Sequence, residues 1–355
     1  MRGGRIRGQG TYGCVFQPAL LCRGSNGKPF DGTKVGKITS PEDAKNELEI
    51  SAYLETLPQS TIYTVAPESQ SCVPRARSKQ VDKDIELCEF SSGMEIQNTI
   101  QLIMPWGGYP LSRVNLDPVT FNYMDFMERI LAIGSFLVLN DLCHFDIWGQ
   151  NFLFNNKNEP KLIDFGFAFR PSKLQQADLR LRWRQMALDH DTETPEVTLM
   201  LASQQSLQAS QVIRGLQREK PTVIRLASIC GISPAQWATG LDQWSKTSQS
   251  FQQHDWLSCW KVYWPGFDAW SIGAVLLQVL EIQLSVAGFS TSSMWTQKGE
   301  LIKSVIKSLC RSHPAHRLDA AEALSMLTAG SHPLIAAGSQ GSEWIAEKAS
   351  RRPIA

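Results

Sequence analysis

Apolar and polar positions change period several times along this chain. From Arg5 to Phe16, strand-prone residues flank a glycine-rich turn, RIRGQGTYGCVF, which predicts a β-hairpin. Pro18 to Gly32 carries loop chemistry, and TKVGKIT at 33–39 predicts a short strand bearing Lys37. SPEDAKNELEISAYLETL then shifts to a helical pattern. There Ser40 is a good N-cap, Pro41 suits the first helical position and Asp43 completes a capping box. Residues 58–93 are irregular, whereas IQLIMPWGGYPL predicts a buried strand ending in a turn. Asp117 and Pro118 are expected to open a long helix that buries Val119, Tyr123, Phe126, Ile130, Ile133 and Leu137 at three- and four-residue steps.

The stretch with the most chemistry runs from Cys143 to Phe169, CHFDIWGQNFLFNNKNEPKLIDFGFAF. FLF and KLI, separated by the turn residues NNKNEP, predict a hairpin, with Asp146 and Asn151 before it and Asp164 after it. Two carboxylates and an amide at the ends of one ribbon suit Mg2+, which takes hard oxygen ligands alongside waters and phosphate oxygens. Further on, SPAQWATGLDQW at 233–244 predicts a capped helix, and tryptophans continue to Trp264. Aromatic stripes usually enter a core, so an added helical layer is expected, with a partner-docking surface as the alternative. Arg180, Arg182 and Arg184 in LRLRWRQ read as a solvated charged face, the alternative being attraction of acidic substrates.

Composition narrows the classes. Lys plus Arg number 35 against 34 Asp plus Glu, so no field points to nucleic acid or an anionic membrane as the main partner. The start has no apolar signal core, and the longest apolar run, Ile130 to Leu139, is too short to span a bilayer. Eight cysteines without CxxC pairs or metal-finger spacing predict reduced thiols in a cytosol-like compartment.

The glycines Gly8, Gly10 and Gly13 with Val15 form GxGxxGxV. Alone the pattern is weak. Strand character on both flanks, with no helix opening before Pro18, argues against a dinucleotide fingerprint and for a hairpin laid over phosphates. With these residues in order, HFDIWGQN resembles the catalytic loop of eukaryotic-type protein kinases, and DFG at Asp164 to Gly166 resembles their metal-binding triplet. VGKI resembles their strand-lysine motif, IMPWGG their hinge, Thr194-Pro195-Glu196 the triplet closing their activation segment, and FDAWSIGAVLLQVL the central helix of their large lobe.

The resemblance implies an α+β bilobal fold: a β-rich lobe over 1–103, a mainly helical lobe over 104–335 with a helical insert near 197–262, and a tail over 336–355. It implies ATP as phosphate donor, Mg2+ or alternatively Mn2+ as metal, and a protein substrate, without nucleic acid or membrane. Asp146 would accept the substrate hydroxyl proton, Asn151 and Asp164 would ligate metal, and Lys37 would pair with the α and β phosphates. Glu47 would orient Lys37, with Glu49 as the alternative because one sequence does not set the helix rotation. Met104 would be the gatekeeper, with the Pro105 carbonyl and the Gly107 amide facing adenine. His144, Asp268, Glu196 and Arg317 would be structural, Asp268 holding the catalytic loop and Glu196 pairing with Arg317. More narrowly, GTYGCVFQPALLC with VGKI resembles protein kinases of nucleocytoplasmic large DNA viruses, implying Ser/Thr hydroxyls as acceptors and the host cytoplasm or virion as the setting.

Two departures qualify this. Phe145 stands where the family has an arginine that grips a phosphorylated activation loop, so activity without phosphorylation of Ser172, Thr192 or Thr194 is expected. Trp148 stands where protein-serine kinases carry a lysine on the transferring phosphate. Losing such a donor typically costs about a hundredfold to a thousandfold in rate unless another group replaces it, and the sequence names no replacement. A nucleotide-binding pseudokinase scaffold is the second hypothesis, against which Lys37, Asp146, Asn151 and Asp164 are all present. A small-molecule phosphotransferase is the third, opposed by Glu196 with Arg317.

Overall fold

Strands with alternating or continuous burial build a five-stranded antiparallel sheet at the N-terminus, and helices dominate the rest, so the chain is α+β. The computed structural model describes all residues except 1–3, 11, 26–29, 69–70, 81–82, 94, 118 and 352–355. The chain divides into two compact units. The first holds residues 1–109 with 153–156 and 161–168, and the second holds the remainder.

In the first unit, β1 (Arg5–Gly10), β2 (Gly13–Gln17), β3 (Lys34–Thr39), β4 (Ser71–Cys72) and β5 (Ile100–Pro105) are ordered β1-β2-β3-β5-β4. A Cβ on Gly13 would collide with the Ile38 carbonyl, which is why the turn closes on glycine there. Helix α1 (Pro41–Glu55) follows β3, its Ser40 N-cap accepting from the Asp43 amide at 3.0 Å. The capping box is only half formed, because the Asp43 carboxylate takes the Ser40 hydroxyl (2.7 Å) in place of the Ser40 N–H. A single turn, α2 (Ser60–Tyr63), comes next, and short 3-10 turns at 77–79, 83–87 and 89–91 punctuate the segment that showed no period. Ile85, Cys88 and Ile96 from that region pack with Cys14, Phe16, Leu20 and Ile38 as one core. A second small sheet joins β6 (Tyr109–Pro110), β7 (Phe152–Phe154) and β8 (Pro160–Leu162), the last two being the ribbon predicted from FLF and KLI.

The thiols differ from expectation. Cys14 is bonded to Cys88 and Cys22 to Cys72, leaving Cys143, Cys230, Cys259 and Cys310 free. Sequence separations of 74 and 50 carry no local spacing signal, so only tertiary proximity reveals the pairs. By loop-closure entropy, loops of this size add roughly 4 kcal/mol for a single crosslink, less for the inner of two nested ones. Unfolding without reductant is expected to expose four titratable thiols, and eight after reduction. Eight without reductant would contradict the pairing.

The second unit is built on α3 (Tyr123–Leu139), α4 (Pro195–Gln204), α5 (Ala209–Glu219), α6 (Pro221–Cys230), α7 (Pro234–Thr247), α8 (Gln249–Gln252), α9 (Trp256–Tyr263), α10 (Pro265–Ser285), α11 (Ser293–Leu309), α12 (Ala320–Thr328) and α13 (Gln340–Arg351). Helix α3 begins later than expected. Asp117 instead caps a turn, accepting from the Val119 amide, while Asn122 accepts from Met124 and Asp125 and starts the helix. Val119 is consequently 90% exposed, and Pro118 lies outside the described residues. A Cβ on Gly134 would strike Ile272 and Ala320, so α3 approaches α10 and α12 closely at that point. The Ile130 to Leu139 run lies within α3, and the longer apolar helix is α10. It is long and apolar enough to cross a membrane, yet 78% of that stretch is buried inside the protein. Trp237, Trp244, Trp256 and Trp260 are buried, so the tryptophans after Glu196 build core as the helical-layer reading expects. The C-terminal helix α13 is pinned to α12 by Lys348 on Asp319 and Glu322.

Candidate active site

The predicted site residues fall into two groups, one in each unit. In the first, β3 is buried along most of its length, which brings Lys37 into the interior next to α1. Its ammonium donates to Glu47 Oε2 at 2.8 Å and to Asp164 Oδ1 at 2.7 Å. Glu47 is the partner and Glu49 is exposed, so the helix rotation that the sequence left open is settled by packing of Ala44, Ile50 and Leu54 on the same face. Burial works against a charged Lys37, but the carboxylates of Asp164 and Glu47 outweigh it and hold the amine above its usual range. Burial pushes Glu47 up, and Lys37 pulls it back.

Asp164 sits at φ 66°, a left-handed conformation unusual for a non-glycine residue. Asn46, which the sequence reading passed over, stabilises that turn: its amide donates to the carbonyls of Gly166 (2.7 Å) and Ala168 (3.2 Å). One turn of α1 thus fixes both ends of the ion triad, with Glu47 on the lysine and Asn46 on the chain beyond Asp164. Val15 and Met104 pack in one apolar cluster with Val35, Ala44, Val65, Leu102 and Ile163. Gly107 cannot carry a side chain, because a Cβ would run into Leu153 and Val65. By contrast, a Cβ on Gly8 or Gly10 would meet no protein atom within 4 Å, so nothing in the fold itself demands glycine there.

In the second unit, Asp268 in the first turn of α10 accepts from the amides of His144 (2.7 Å) and Phe145 (2.8 Å). Burial raises its pKa, and these donors work against that rise. The Asp146 amide donates to His144 Nδ1 at 3.3 Å. Asn151 donates through Nδ2 to the Asp146 main-chain oxygen (2.8 Å) and to its Oδ2 (3.2 Å), which leaves the Asn151 amide oxygen as the acceptor end. Arg184 donates to Asp146 Oδ1 at 2.9 Å and to the Phe145 carbonyl at 3.2 Å. Phe145, at φ 63°, packs its ring against Trp260 (4.5 Å), Phe267 (5.6 Å) and Phe169 (6.0 Å). An arginine at 145 could not enter that cluster without burying a charge.

Away from this group, Glu196 receives a two-pronged hydrogen bond from Arg317 at 2.6 and 2.9 Å, with both side chains fully buried. Arg317 also donates to the carbonyls of Gly266 and Arg311. The solvated face expected of the arginine run forms only at Arg180, which is exposed. Arg182 is buried over the Phe169 ring, and Arg184 lies on Asp146.

No protein-family model matches this sequence, and no curated protein matches it. Among the described residues no three His, Cys, Asp or Glu side chains gather to cage a metal by themselves.

Proposed function

We propose that the chain is an ATP-dependent protein kinase acting on serine and threonine hydroxyls, with a bilobal kinase fold. The observation that carries this is Lys37 held between Glu47 and Asp164. Three residues singled out by resemblance, on a strand, a helix and a loop, meet on one ammonium. Phosphate oxygens of ATP would replace part of that neutralisation. Gly8 and Gly10 support the same reading, because their missing side chains leave room for backbone to approach phosphates. Adenine would lie on the apolar cluster of Val15 and Met104, with the Pro105 carbonyl and the Gly107 amide on its edge.

By the resemblance, Asn151 and Asp164 are each expected to offer an oxygen to magnesium, whose chemistry is to neutralise charge on the transferring phosphoryl group. Asp146 orients the attacking hydroxyl and accepts its proton. Asn151 and Arg184 hold one carboxylate oxygen each, which fixes the plane of the base. The acceptor class, Ser/Thr, follows the narrower viral resemblance.

Trp148 favours a second reading, a nucleotide-binding scaffold that does not transfer phosphate. Transfer of labelled phosphate from ATP to a generic basic protein with Mg2+, beside calorimetric ATP binding, separates the two. Binding without transfer leaves the scaffold, and no binding removes both. Label found only on a small metabolite would point to a small-molecule phosphotransferase instead.

Phosphatase treatment is expected to leave the activity unchanged. The aromatic cluster around Phe145 does without a phosphate-gripping arginine, and Thr194 is itself buried at the start of α4. Activity lost on dephosphorylation and regained with a kinase would contradict this.

A further inference from the structure

We propose that Arg184 does the work of the lysine that Trp148 replaces, as a positioning residue that supplies the positive charge on Asp146. The inference rests on the kinase reading. In that family the cation sits two residues after the base, and here that position carries an indole that is 39% exposed. The cation found on the base comes from 38 residues further along the chain.

Several observations set this contact apart from an ordinary surface ion pair. The side chains of Arg184 and Asp146 are only 16% and 22% exposed. Arg184 also donates to the Phe145 carbonyl, so one guanidinium grips both the base and the peptide before it. Its charge lies 5.6 Å from the centre of the Phe145 ring. The segment that delivers it is anchored on both sides of the aromatic cluster, Trp183 meeting Trp260 edge-on at 5.3 Å and Arg182 covering Phe169 at 5.4 Å.

A phenylalanine at 145 and an arginine at 184 therefore form one device. The ring that displaced the usual arginine of this loop builds the apolar floor on which the new arginine rests. Arg184 binds Oδ1 and Asn151 binds Oδ2, so both oxygens of the base are oriented by donors of this chain.

The test uses the full chain and four variants: Arg184→Ala, Arg184→Lys, Trp148→Lys, and Arg184→Ala combined with Trp148→Lys. Arg184→Ala is expected to lower kcat by about a hundredfold to a thousandfold, with the KM for ATP changed by less than about threefold. Arg184→Lys should fall between, since it keeps the charge and loses the planar guanidinium. Adding Trp148→Lys to Arg184→Ala is expected to recover at least about tenfold in kcat, which a purely structural arginine would not permit. An active wild type with an equally active or more active Arg184→Ala overturns the inference and leaves the kinase reading intact. Loss of activity that Trp148→Lys does not rescue also overturns it. Should Arg184→Ala fail to fold, Arg184→Gln beside Arg184→Lys gives the same comparison, and equal kcat in the two sinks the idea. A wild type that binds ATP without transferring phosphate removes the kinase reading and this inference together.

Discussion

Replacing Asp146 with asparagine is expected to lower kcat for phosphate transfer by about two to four powers of ten while ATP affinity stays nearly unchanged. Asn keeps the shape and leaves one carbonyl oxygen for the substrate hydroxyl, but it cannot take a proton. Asp146 belongs to the second unit, whereas Lys37, Glu47 and the apolar cluster with Val15 and Met104 belong to the first, so nucleotide affinity has a separate physical source. Steady-state kinetics with calorimetry on the same preparation checks both halves. An Asp146→Asn variant with more than about a tenth of wild-type kcat would remove Asp146 from the base role.

Glu196→Ala is expected to destabilise the fold by about 3–5 kcal/mol, among the largest single effects available in this chain. Arg317 would keep its charge in a site with no exposure, and the carbonyls of Gly266 and Arg311 cannot neutralise it. The reciprocal change, Arg317→Ala, strands the Glu196 carboxylate in the same way. Exchanging both for apolar residues of similar volume is expected to cost less than either single change, because desolvation of the pair offsets much of its attraction. Urea denaturation of the two singles and the double measures this. Additive losses in the double would show that the two residues act independently and would refute the coupling.

The main elements were legible because their signals are local. Ser40, Pro41 and the period of the residues after them specify α1 without help, and Ser233 does the same for α7. The ribbon β7–β8 follows from two apolar triplets around a turn, and the residues at its ends identify the candidate chemistry. Local signals also misled. Asp117 and Pro118 look like a helix start, but the Asp117 side chain is used on the amide of Val119, and the cap passes to Asn122.

The candidate site was legible in its residue types and not in its partners. Lys37 and two nearby glutamates could be read from the sequence, yet choosing Glu47 over Glu49 needed the face that α1 buries against the sheet. The disulfides, Asn46 on the chain after Asp164, and Arg184 on Asp146 left no trace in spacing. Each joins residues tens of positions apart, and a linear pattern records only what neighbours do to one another. Period, caps and turns thus determined which segments fold and which residues can do chemistry. Long-range packing alone decided which thiols meet, which carboxylate holds the lysine and which arginine holds the base, since those contacts form only when burial brings distant segments together.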